Sequence, residues 1–496
     1  MNARHLIKIA IWLLAVSSTL FLFWMSSTFA KFRYEPSKDP SNYVLLSEAF
    51  LKQQLHFDVV PEQELIENPD PYNPYSRRYP SFIWDASWYN QKYFLYFGPT
   101  PALFLYAPSF VLFHHPLIDD VAIILLTILA IVALGATCLS ASRRLLNLSP
   151  PGGLLPWFFY VAFGSSLSLQ LGGGMYVVAA LSGMLFQLLT LFFLIRCLTA
   201  QRPARGYALL AGVSALAAIG SRPTHMLVAL CAGLLLCISA LTVKDSKITP
   251  RTIATFAAPL FLGGAILAWY NYARFDSIFE FGLSYQLGLD DFTKQPLCAL
   301  QNVLNQPRLL SVQAWYLLLQ PPYLVAEFPY LSFKRFPPRD LIDPELTYLG
   351  ADAVTGLFAV SPLLIPGIIA TLIYWRAFPT NAKLVFGTCL AIGFTILAYL
   401  HTCIFAAARY LFEAISVFSV VSLPALWFAC RFSRRSWVRW FWRSVVAIGL
   451  AIGVTIGLAG VLDGHFNKGP AIRALLNGED RAKAYHSSPA SKKNSS

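Results

Sequence analysis

The sequence is short of charged residues. Asp, Glu, Lys and Arg make up 13% of its 496 residues, whereas an ordinary soluble domain is about one quarter charged. Hydrophobic residues make up 56% of the chain, and the mean hydropathy is +0.55. This shortage argues against a soluble globular chain and indicates a protein that crosses a membrane many times.

The sequence also lacks the signatures of soluble enzymes. It has no GxGxxG, no Walker phosphate-binding loop, no HExxH and no GxSxG. Pairs of the CxxC type and metal-binding Cys/His spacings are missing as well. Most cysteines lie in or at the ends of apolar runs, and Cys298 alone lies in a long polar loop. We therefore expect no disulfide framework, and we find no internal repeat.

Long apolar runs are abundant. A helix that crosses about 30 Å of hydrocarbon needs about 20 apolar residues, and about eleven segments have this character. They lie near 9–30, 118–140, 152–171, 175–195, 206–221, 224–243, 252–271, 353–375, 384–405, 409–430 and 444–462. The first is interpreted as an uncleaved span, because no cleavage motif of small residues follows a short core. We predict an all-α polytopic membrane protein.

The net charge of +13 is best explained by membrane orientation. Basic residues concentrate in short segments between alternate pairs of spans, and these segments hold one acid, Asp245. The basic residues are Arg4, Lys8, Arg143, Arg144, Arg196, Arg202, Arg205, Lys244, Lys247, Arg251, Arg376, Lys383, Arg431, Arg434, Arg435, Arg439 and Arg443. Positive residues stay in the cytoplasm. The N-terminus is therefore predicted inside an inner (plasma) membrane and the C-terminus outside, and nucleic acid is not expected as a partner.

Six parts follow from this topology. They are a first transmembrane helix at 1–30, an outer loop at 31–117 with juxtamembrane helices, a transmembrane bundle at 118–271, a second outer loop at 272–352, C-terminal transmembrane helices at 353–462 and a disordered outer tail at 463–496. The topology requires that the proline-containing apolar segment 97–113 does not cross. We interpret it as a helix lying flat in the interface, and a short kinked transmembrane helix is the alternative.

Asp39 stands directly ahead of a helical pattern in the first outer loop. It begins Asp39-Pro40-Ser41-Asn42-Tyr43, and apolar residues follow at helical spacing. Either Asp39 or Ser41 suits a helix N-cap. A carboxylate at the membrane rim equally suits a general base for an acceptor hydroxyl or amine.

Aromatic residues surround polar ones later in the same loop. The segment 84–96 holds Asp85, Lys92 and Tyr93 among several Trp, Tyr and Phe residues. This mixture suits a sugar-binding face, and it equally suits an aromatic belt at the membrane interface. Asp85, Lys92 and Tyr93 are candidates for substrate binding.

Together these features resemble the GT-C superfamily of integral-membrane glycosyltransferases, above all its protein-mannosyltransferase-like and lipid A aminoarabinose transferase-like branches. In that superfamily an Asp follows the first span at the head of a juxtamembrane helix, often as D-x-x-x-Y, which Asp39 and Tyr43 match. A second juxtamembrane helix follows a Lys/Tyr/Phe-rich segment, which "NQKYFLYFGPTPALFLY" matches. The resemblance implies a polyprenyl-phosphate-linked sugar donor and Asp39 as the catalytic base.

One departure from the superfamily concerns metal. Many members carry a second acid in the outer turn between the third and fourth spans, where this chain has "SLQLGGGMY". A divalent metal is therefore not supported, and no cofactor is assigned. The departure also fits a chain that keeps the fold without transfer activity.

Charged residues at the ends of later spans are the next candidates. The stretch "GSRPTH" places Arg222 and His225 at an outer helix end, and "ARYLFE" places Arg409 and Glu413 on one helical face. Charges at membrane depth usually face a cavity. Arg409, beside Tyr410, is predicted to bind the carrier phosphate, with Glu413 orienting it and Arg222 as a second contact. The alternative is an Arg409–Glu413 pair that only stabilises the bundle.

The segment 271–287 opens the second outer loop and contains Arg274 and Glu280. These residues suit either a capped helix end or contacts to an acceptor, and the sequence does not separate the two.

The predicted function is therefore sugar transfer from a polyprenyl-phosphate carrier to an unidentified lipid, glycan or protein acceptor on the outer face. Asp39 would act as base in a single inverting displacement. Two other classes remain open, namely a transporter or flippase of an amphiphilic lipid-linked substrate and a catalytically inactive envelope scaffold.

Overall fold

The computed structural model describes residues 41–77, 82–149, 154–165, 175–201, 204–243, 246–288, 290–324, 330–332, 350–352 and 355–467. The predicted first span, Asp39 and most of the predicted tail at 463–496 lie outside the described residues.

Regular structure in the described part is almost entirely helical. The helices are α1 (Asn42–Leu51), α2 (Gln63–Ile66), α3 (Ala107–Phe113, continuing a π-helical turn at Ala102–Tyr106), α4 (Asp119–Ser140), α5 (Leu154–Gly164), α6 (Met175–Leu198), α7 (Arg205–Ile219), α8 (Met226–Thr242), α9 (Pro250–Phe275), α10 (Leu300–Asn305), α11 (Leu309–Ala314), α12 (Leu357–Val360), α13 (Leu364–Tyr374), α14 (Thr380–Leu400), α15 (Phe412–Phe432) and α16 (Ser436–Asn467). Short strands are β1 (Ser87–Tyr89), β2 (Lys92–Phe94), β3 (Tyr323–Leu324), β4 (Leu331–Ser332), β5 (Gly350–Asp352) and β6 (Phe405–Ala407). β1 pairs antiparallel with β2, β3 antiparallel with β4, and β5 parallel with β6.

Seven helical segments of the described part are long and apolar enough to cross a membrane. They are Asp119–Leu145, Met175–Leu198, Pro223–Thr242, Pro250–Phe275, Thr380–Leu400, Arg409–Phe432 and Ser436–Ala459. Shorter apolar helices, α5, α7 and α13, lie within the remaining predicted spans after the first. The prediction of an all-α polytopic membrane protein is confirmed.

Helix α15 lies at the centre of the bundle and contacts α4, α6, α13, α14 and α16. Small residues let the neighbours approach: a Cβ added to Gly367 of α13 would lie 2.2 Å from the Ser422 Cβ of α15. The Ser422 hydroxyl donates to the Leu364 carbonyl at 3.0 Å. Close approach at small residues, with a hydrogen bond between helices, is how transmembrane helices pack without a hydrophobic driving force. The packing fixes the beginning of α15, where Glu413 lies.

The described part of the first long loop begins with α1, which the Ser41 side chain caps by accepting from the Tyr43 backbone amide at 3.3 Å. Of the two cap candidates in the sequence, the structure gives the cap to Ser41. The apolar face of α1 packs on α3 and its π-helical turn, and the Tyr43 and Tyr106 rings stack with centroids 5.6 Å apart.

The helix at Ala102–Phe113 is too short to span a bilayer alone. At 1.5 Å per residue it extends about 18 Å, whereas the hydrocarbon core is about 30 Å thick. It exposes the large apolar residues Leu103, Val111, Leu112 and Phe113. The flat orientation predicted for 97–113 relative to a bilayer stays a prediction.

The two long loops pair with each other. The Asp85 amide donates to the Leu287 carbonyl at 3.0 Å, and the Leu287 amide donates to the Ala86 carbonyl at 2.9 Å. Nearby, the Ser87 hydroxyl donates to the carbonyl of Gly282, whose φ of +102° is accessible mainly to glycine. Both loops therefore lie at one end of the bundle.

A disulfide joins Cys298 in the second loop to Cys403, just after α14. The sequence pattern predicted no disulfide framework and placed Cys403 inside an apolar run, so the structure differs there. α14 ends at Leu400, five residues before the predicted span 384–405 does, and this leaves Cys403 in the polar loop beside Cys298.

In the described part of the chain, the basic segments lie at the opposite end of the bundle. There the Trp427 indole donates to the Ser149 carbonyl at 3.0 Å, and the Tyr374 and Ser433 hydroxyls lie 2.6 Å apart. Because α15 runs from Glu413 to this end, the paired long loops and these basic segments lie at opposite ends of the same helices.

Candidate functional site

Glu413, in the first turn of α15, is the centre of a buried charge cluster. Its Oε1 lies 2.8 Å from the Arg222 Nη1 and 3.5 Å from the His225 Nε2, and it accepts a hydrogen bond from the Thr224 hydroxyl at 3.0 Å. The Glu413 side chain is 3% exposed and that of Arg222 is 15% exposed. The ion pair joins α15 to the turn between α7 and α8.

The fully buried His225 ring fits because α6 has a glycine opposite it. A Cβ added to Gly183 would lie 2.3 Å from the His225 Nε2. A polar contact also holds α15 against α6, because the Gln187 side-chain amide of α6 donates to the Glu413 backbone carbonyl at 3.0 Å. The cluster is thus enclosed by α6, α8 and α15.

The partner of Glu413 differs from the one that helical spacing suggested. α15 begins at Phe412, and Arg409 lies before it in a 3-10 helical turn at Ala408–Leu411. The ionisable neighbours that act on the Glu413 carboxylate are His225 and Arg222. Glu413 therefore orients Arg222, where the sequence analysis had expected it to orient Arg409.

Two guanidinium groups flank the ring of Tyr410. The Arg222 Cζ lies 5.8 Å from the ring centroid and the Arg409 Cζ lies 5.4 Å from it. Arg409 also stacks on the Tyr176 ring of α6 at 4.6 Å. Cation–π contacts of this kind help to fix the plane of a guanidinium group. The arrangement brings together two of the predicted phosphate contacts.

Asp85 approaches the same cluster from the first outer loop. It is buried with φ of +57°, and its Oδ1 accepts from the Gln286 amide at 2.6 Å. Arg409 lies within electrostatic range of Asp85. Burial raises the pKa of Asp85 to about 6, and the hydrogen bond from Gln286 and the charge of Arg409 oppose that rise.

Asp119, which the sequence analysis did not single out, ties the first loop to the bundle. At the start of α4 it accepts from the Tyr106 hydroxyl at 2.5 Å, and it also bonds the Ser41 side chain. The Tyr43 hydroxyl is fully buried, with no hydrogen-bond partner among the described residues. Asp119 therefore holds the beginning of α1, which lies three residues after Asp39 in the sequence.

The structure also describes four other predicted site residues, namely Arg274, Glu280, Tyr93 and Lys92. Arg274 is buried, donates to the Leu95 carbonyl at 2.6 Å and lies 3.8 Å above the Tyr270 ring. Glu280 accepts from the Gly282 amide at 2.5 Å and so shapes its own turn. Tyr93 is buried against Trp88 in the β1–β2 hairpin, and Lys92 is exposed beside it. None of these contacts joins the four residues to the Arg222–Glu413 cluster.

Metal binding has no donor set in the described part of the chain. No group of three or more His, Cys, Asp or Glu side chains there could hold an ion. Asp39 lies outside that part, so its role as base stays a prediction.

An apolar groove of about 430 Å³ opens between α13, α14 and α15 near the same end of the bundle. Its walls are Leu318, Leu357, Phe358, Ile365, Ile368, Ile369, Phe394, Leu397, Ala398, His401 and Phe418. On α14, Tyr399 lies next to the groove residue Ala398 and within electrostatic range of Arg222, Glu413 and Tyr410. The groove and the charge cluster are therefore connected through neighbouring residues of α14.

Sequence reasoning found the arginines and missed the residues that hold them. Thr224 and Tyr176 gave no signal, because hydroxyls and aromatics are common at membrane interfaces. Asp119 gave a weak one, as an acid beside Asp120 at the start of a span, where it favours the positive end of the helix dipole. Gln286 is remote in sequence from Asp85, and only the fold brings the two together.

Neither family models nor curated protein sequences match this chain. A comparison of folds finds the crystal structure of the Archaeoglobus fulgidus oligosaccharyltransferase in the apo form, with a TM-score of 0.46 and 11% sequence identity. The alignment covers 90% of this chain and 56% of the archaeal chain, so this chain spans about half the length of that enzyme. At this level of similarity the match assigns neither a family nor an activity to this chain.

Proposed function

We propose that this protein is a membrane glycosyltransferase of the GT-C kind, which transfers a sugar from a polyprenyl-phosphate carrier to an acceptor outside the cytoplasm. The observation that carries the proposal is the pair of guanidinium groups around Tyr410, at the end of the bundle where both long loops meet. Guanidinium groups match phosphate oxygens in shape and charge.

The lipid tail of the donor would occupy the apolar groove between α13, α14 and α15. Its lining is apolar apart from His401, and the lining residue Ala398 is followed in α14 by Tyr399, which lies within electrostatic range of the charge cluster. A carrier lying there would have its chain between helices and its phosphate near Arg222 and Arg409. This arrangement supports a lipid-linked donor over a water-soluble nucleotide sugar.

In the proposed reaction the acceptor oxygen or nitrogen attacks the anomeric carbon while Asp39 takes its proton. The bond between the anomeric carbon and the phosphate oxygen breaks, and the carrier phosphate leaves with the electron pair. Arg222 and Arg409 would stabilise the charge on that phosphate, which counts for more in a site of low dielectric than in water. A single displacement inverts the anomeric centre.

The proposed orientation places the N-terminus in the cytoplasm and both long loops outside the inner (plasma) membrane. The basic segments at the far end of the bundle support it. The Cys298–Cys403 disulfide supports it as well, because disulfides persist in oxidising compartments outside the cytoplasm.

The direct test uses purified protein in proteoliposomes with radiolabelled polyprenyl-phosphate sugars and membrane-extract acceptors. We expect label to leave the lipid phase, and we expect Arg409→Ala and Asp39→Asn to abolish this transfer. Arg376→Ala, which removes an exposed arginine near the opposite end, is the matched control and should keep it. Uptake of unchanged donor into vesicles would instead support a transporter, and binding without either would support a scaffold.

A further inference from the structure

The Cys298–Cys403 disulfide is the centre of a compact junction between the second outer loop and the end of α14. Beside it the Ile404 amide donates to the Leu297 carbonyl at 3.0 Å. The Asn302 side-chain amide donates to the Thr402 backbone carbonyl at 3.1 Å. We call these contacts, with the disulfide, the Cys298–Cys403 junction.

Gln313 of α11 connects the junction to the strand that follows it. Its fully buried side-chain amide donates to the carbonyls of Cys403 and Phe405, the latter at 3.3 Å. The strand β6 (Phe405–Ala407) also pairs in parallel with β5 (Gly350–Asp352). Backbone held on both sides in this way has little freedom to move.

Arg409 follows β6 after one residue. The turn Ala408–Leu411 carries Arg409 and Tyr410 directly from the end of β6 to the start of α15. The position of the Arg409 guanidinium therefore depends on two anchors, α15 on one side and the Cys298–Cys403 junction on the other.

The junction also holds the wall of the apolar groove. The helical turn after α11 (Trp315–Leu319) contributes Leu318 to that wall, and the Gly356 amide donates to the Gln320 carbonyl at 2.7 Å. A Cβ added to Gly356 would lie 2.5 Å from the Leu318 backbone carbon, so the two segments touch closely. Contacts around Gln313 and Gly356 thus connect the wall of the groove to the turn Ala408–Leu411, which carries Arg409.

We propose that the Cys298–Cys403 disulfide and the Gln313 amide are positioning groups that hold Arg409 where it binds the phosphate of a lipid carrier. This inference rests on the proposed function for the identity of the ligand. It adds that phosphate binding by this protein requires an oxidised second loop, although neither cysteine touches the phosphate.

The experiment compares the double variant Cys298→Ser/Cys403→Ser and the single variant Gln313→Leu with wild type. Cys231→Ser, at a free cysteine of α8, is the matched control. Binding of undecaprenyl phosphate and of undecaprenol, which lacks the phosphate, is measured in detergent micelles. Hydrogen exchange of the amides at 405–411 is followed in the same samples, and thiol labelling counts the free cysteines.

We expect the affinity for undecaprenyl phosphate to fall roughly tenfold or more in both test variants, since losing a hydrogen bond to a charged group typically lowers affinity by about this factor. Affinity for undecaprenol should change little, and exchange at 405–411 should speed up. Cys231→Ser should match wild type in every measurement. An equal loss for both lipids would indicate a general structural defect and would overturn a role centred on Arg409.

The exchange measurement keeps the inference separate from the proposed function. If wild type binds no polyprenyl phosphate, the proposed function fails, while faster exchange at 405–411 in both variants would still support the positioning role. Unchanged exchange at 405–411 in the double variant, or labelling of Cys298 and Cys403 as free thiols in wild type, would overturn the inference whatever the lipid binding.

Discussion

The substitution Glu413→Gln should destabilise the protein by about 3 kcal/mol. It removes the negative charge 2.8 Å from Arg222 in a side chain that is 3% exposed. Removing one partner of a buried ion pair costs about 3–5 kcal/mol, because the other charge remains without compensation. The low end applies here, since Arg222 is 15% exposed and the new amide oxygen still accepts the hydrogen bond of Thr224.

The assay is equilibrium unfolding in mixed micelles with increasing SDS, followed by tryptophan fluorescence. Asp58→Asn is the matched control, because it breaks an ion pair to Lys52 of similar length, 2.6 Å, in side chains that are about half exposed. Exposed pairs contribute little to stability, so the control should unfold like wild type. If Glu413→Gln unfolds no more easily than Asp58→Asn, the buried pair is not a structural element and the reasoning fails.

Three further outcomes are expected. Burial raises the pKa of Asp85 to about 6, above the value of an unfolded Asp, so the folded protein binds the Asp85 proton more tightly than the unfolded chain does. The free energy of unfolding should therefore fall as pH rises from about 4 to 6, and Asp85→Asn should flatten that part of a thermal-unfolding profile. Gly183→Ala should cost about 1–3 kcal/mol because its Cβ would overlap the His225 ring, whereas Gly206→Ala, with open space around it, should be neutral or slightly stabilising in the same unfolding assay. Asp119→Asn should lower stability by about 1–2 kcal/mol through its weakened hydrogen bonds, measured by the same SDS titration.

The parts of the fold that depend on local pattern could be predicted from the sequence. Apolar runs gave the spans, because each span must satisfy the same hydrocarbon thickness whatever its neighbours are. The ends of the spans could be predicted less well. α14 ends at Leu400 although apolar residues continue to Phe405, so the sequence placed Cys403 inside a span and did not show it as the partner of Cys298. Where a helix stops depends here on loop contacts, which a hydropathy pattern does not contain.

The candidate site likewise has residues that the local sequence pattern reveals and contacts that only the fold reveals. Charges at span ends are costly in a membrane and therefore conspicuous in a sequence, so Arg222, Arg409 and Glu413 could be found. Their pairing could not, because helical spacing within one segment favoured Arg409 as the partner of Glu413. The actual partner, Arg222, lies in the turn between α7 and α8, which only the packing of the bundle brings near α15.

The Arg222–Glu413 pair serves both structure and the proposed chemistry, and this limits what a single variant can reveal. Loss of transfer in Glu413→Gln would follow equally from a misplaced Arg222 and from a loosened bundle. A doubly neutral variant, Arg222→Met with Glu413→Leu, separates the two, because replacing a buried pair by apolar residues is often neutral for stability. If that variant unfolds like wild type yet binds no polyprenyl phosphate, the arginine acts on the ligand and Glu413 acts through it. If it binds polyprenyl phosphate as wild type does, the cluster is structural and the phosphate site must depend on Arg409 alone.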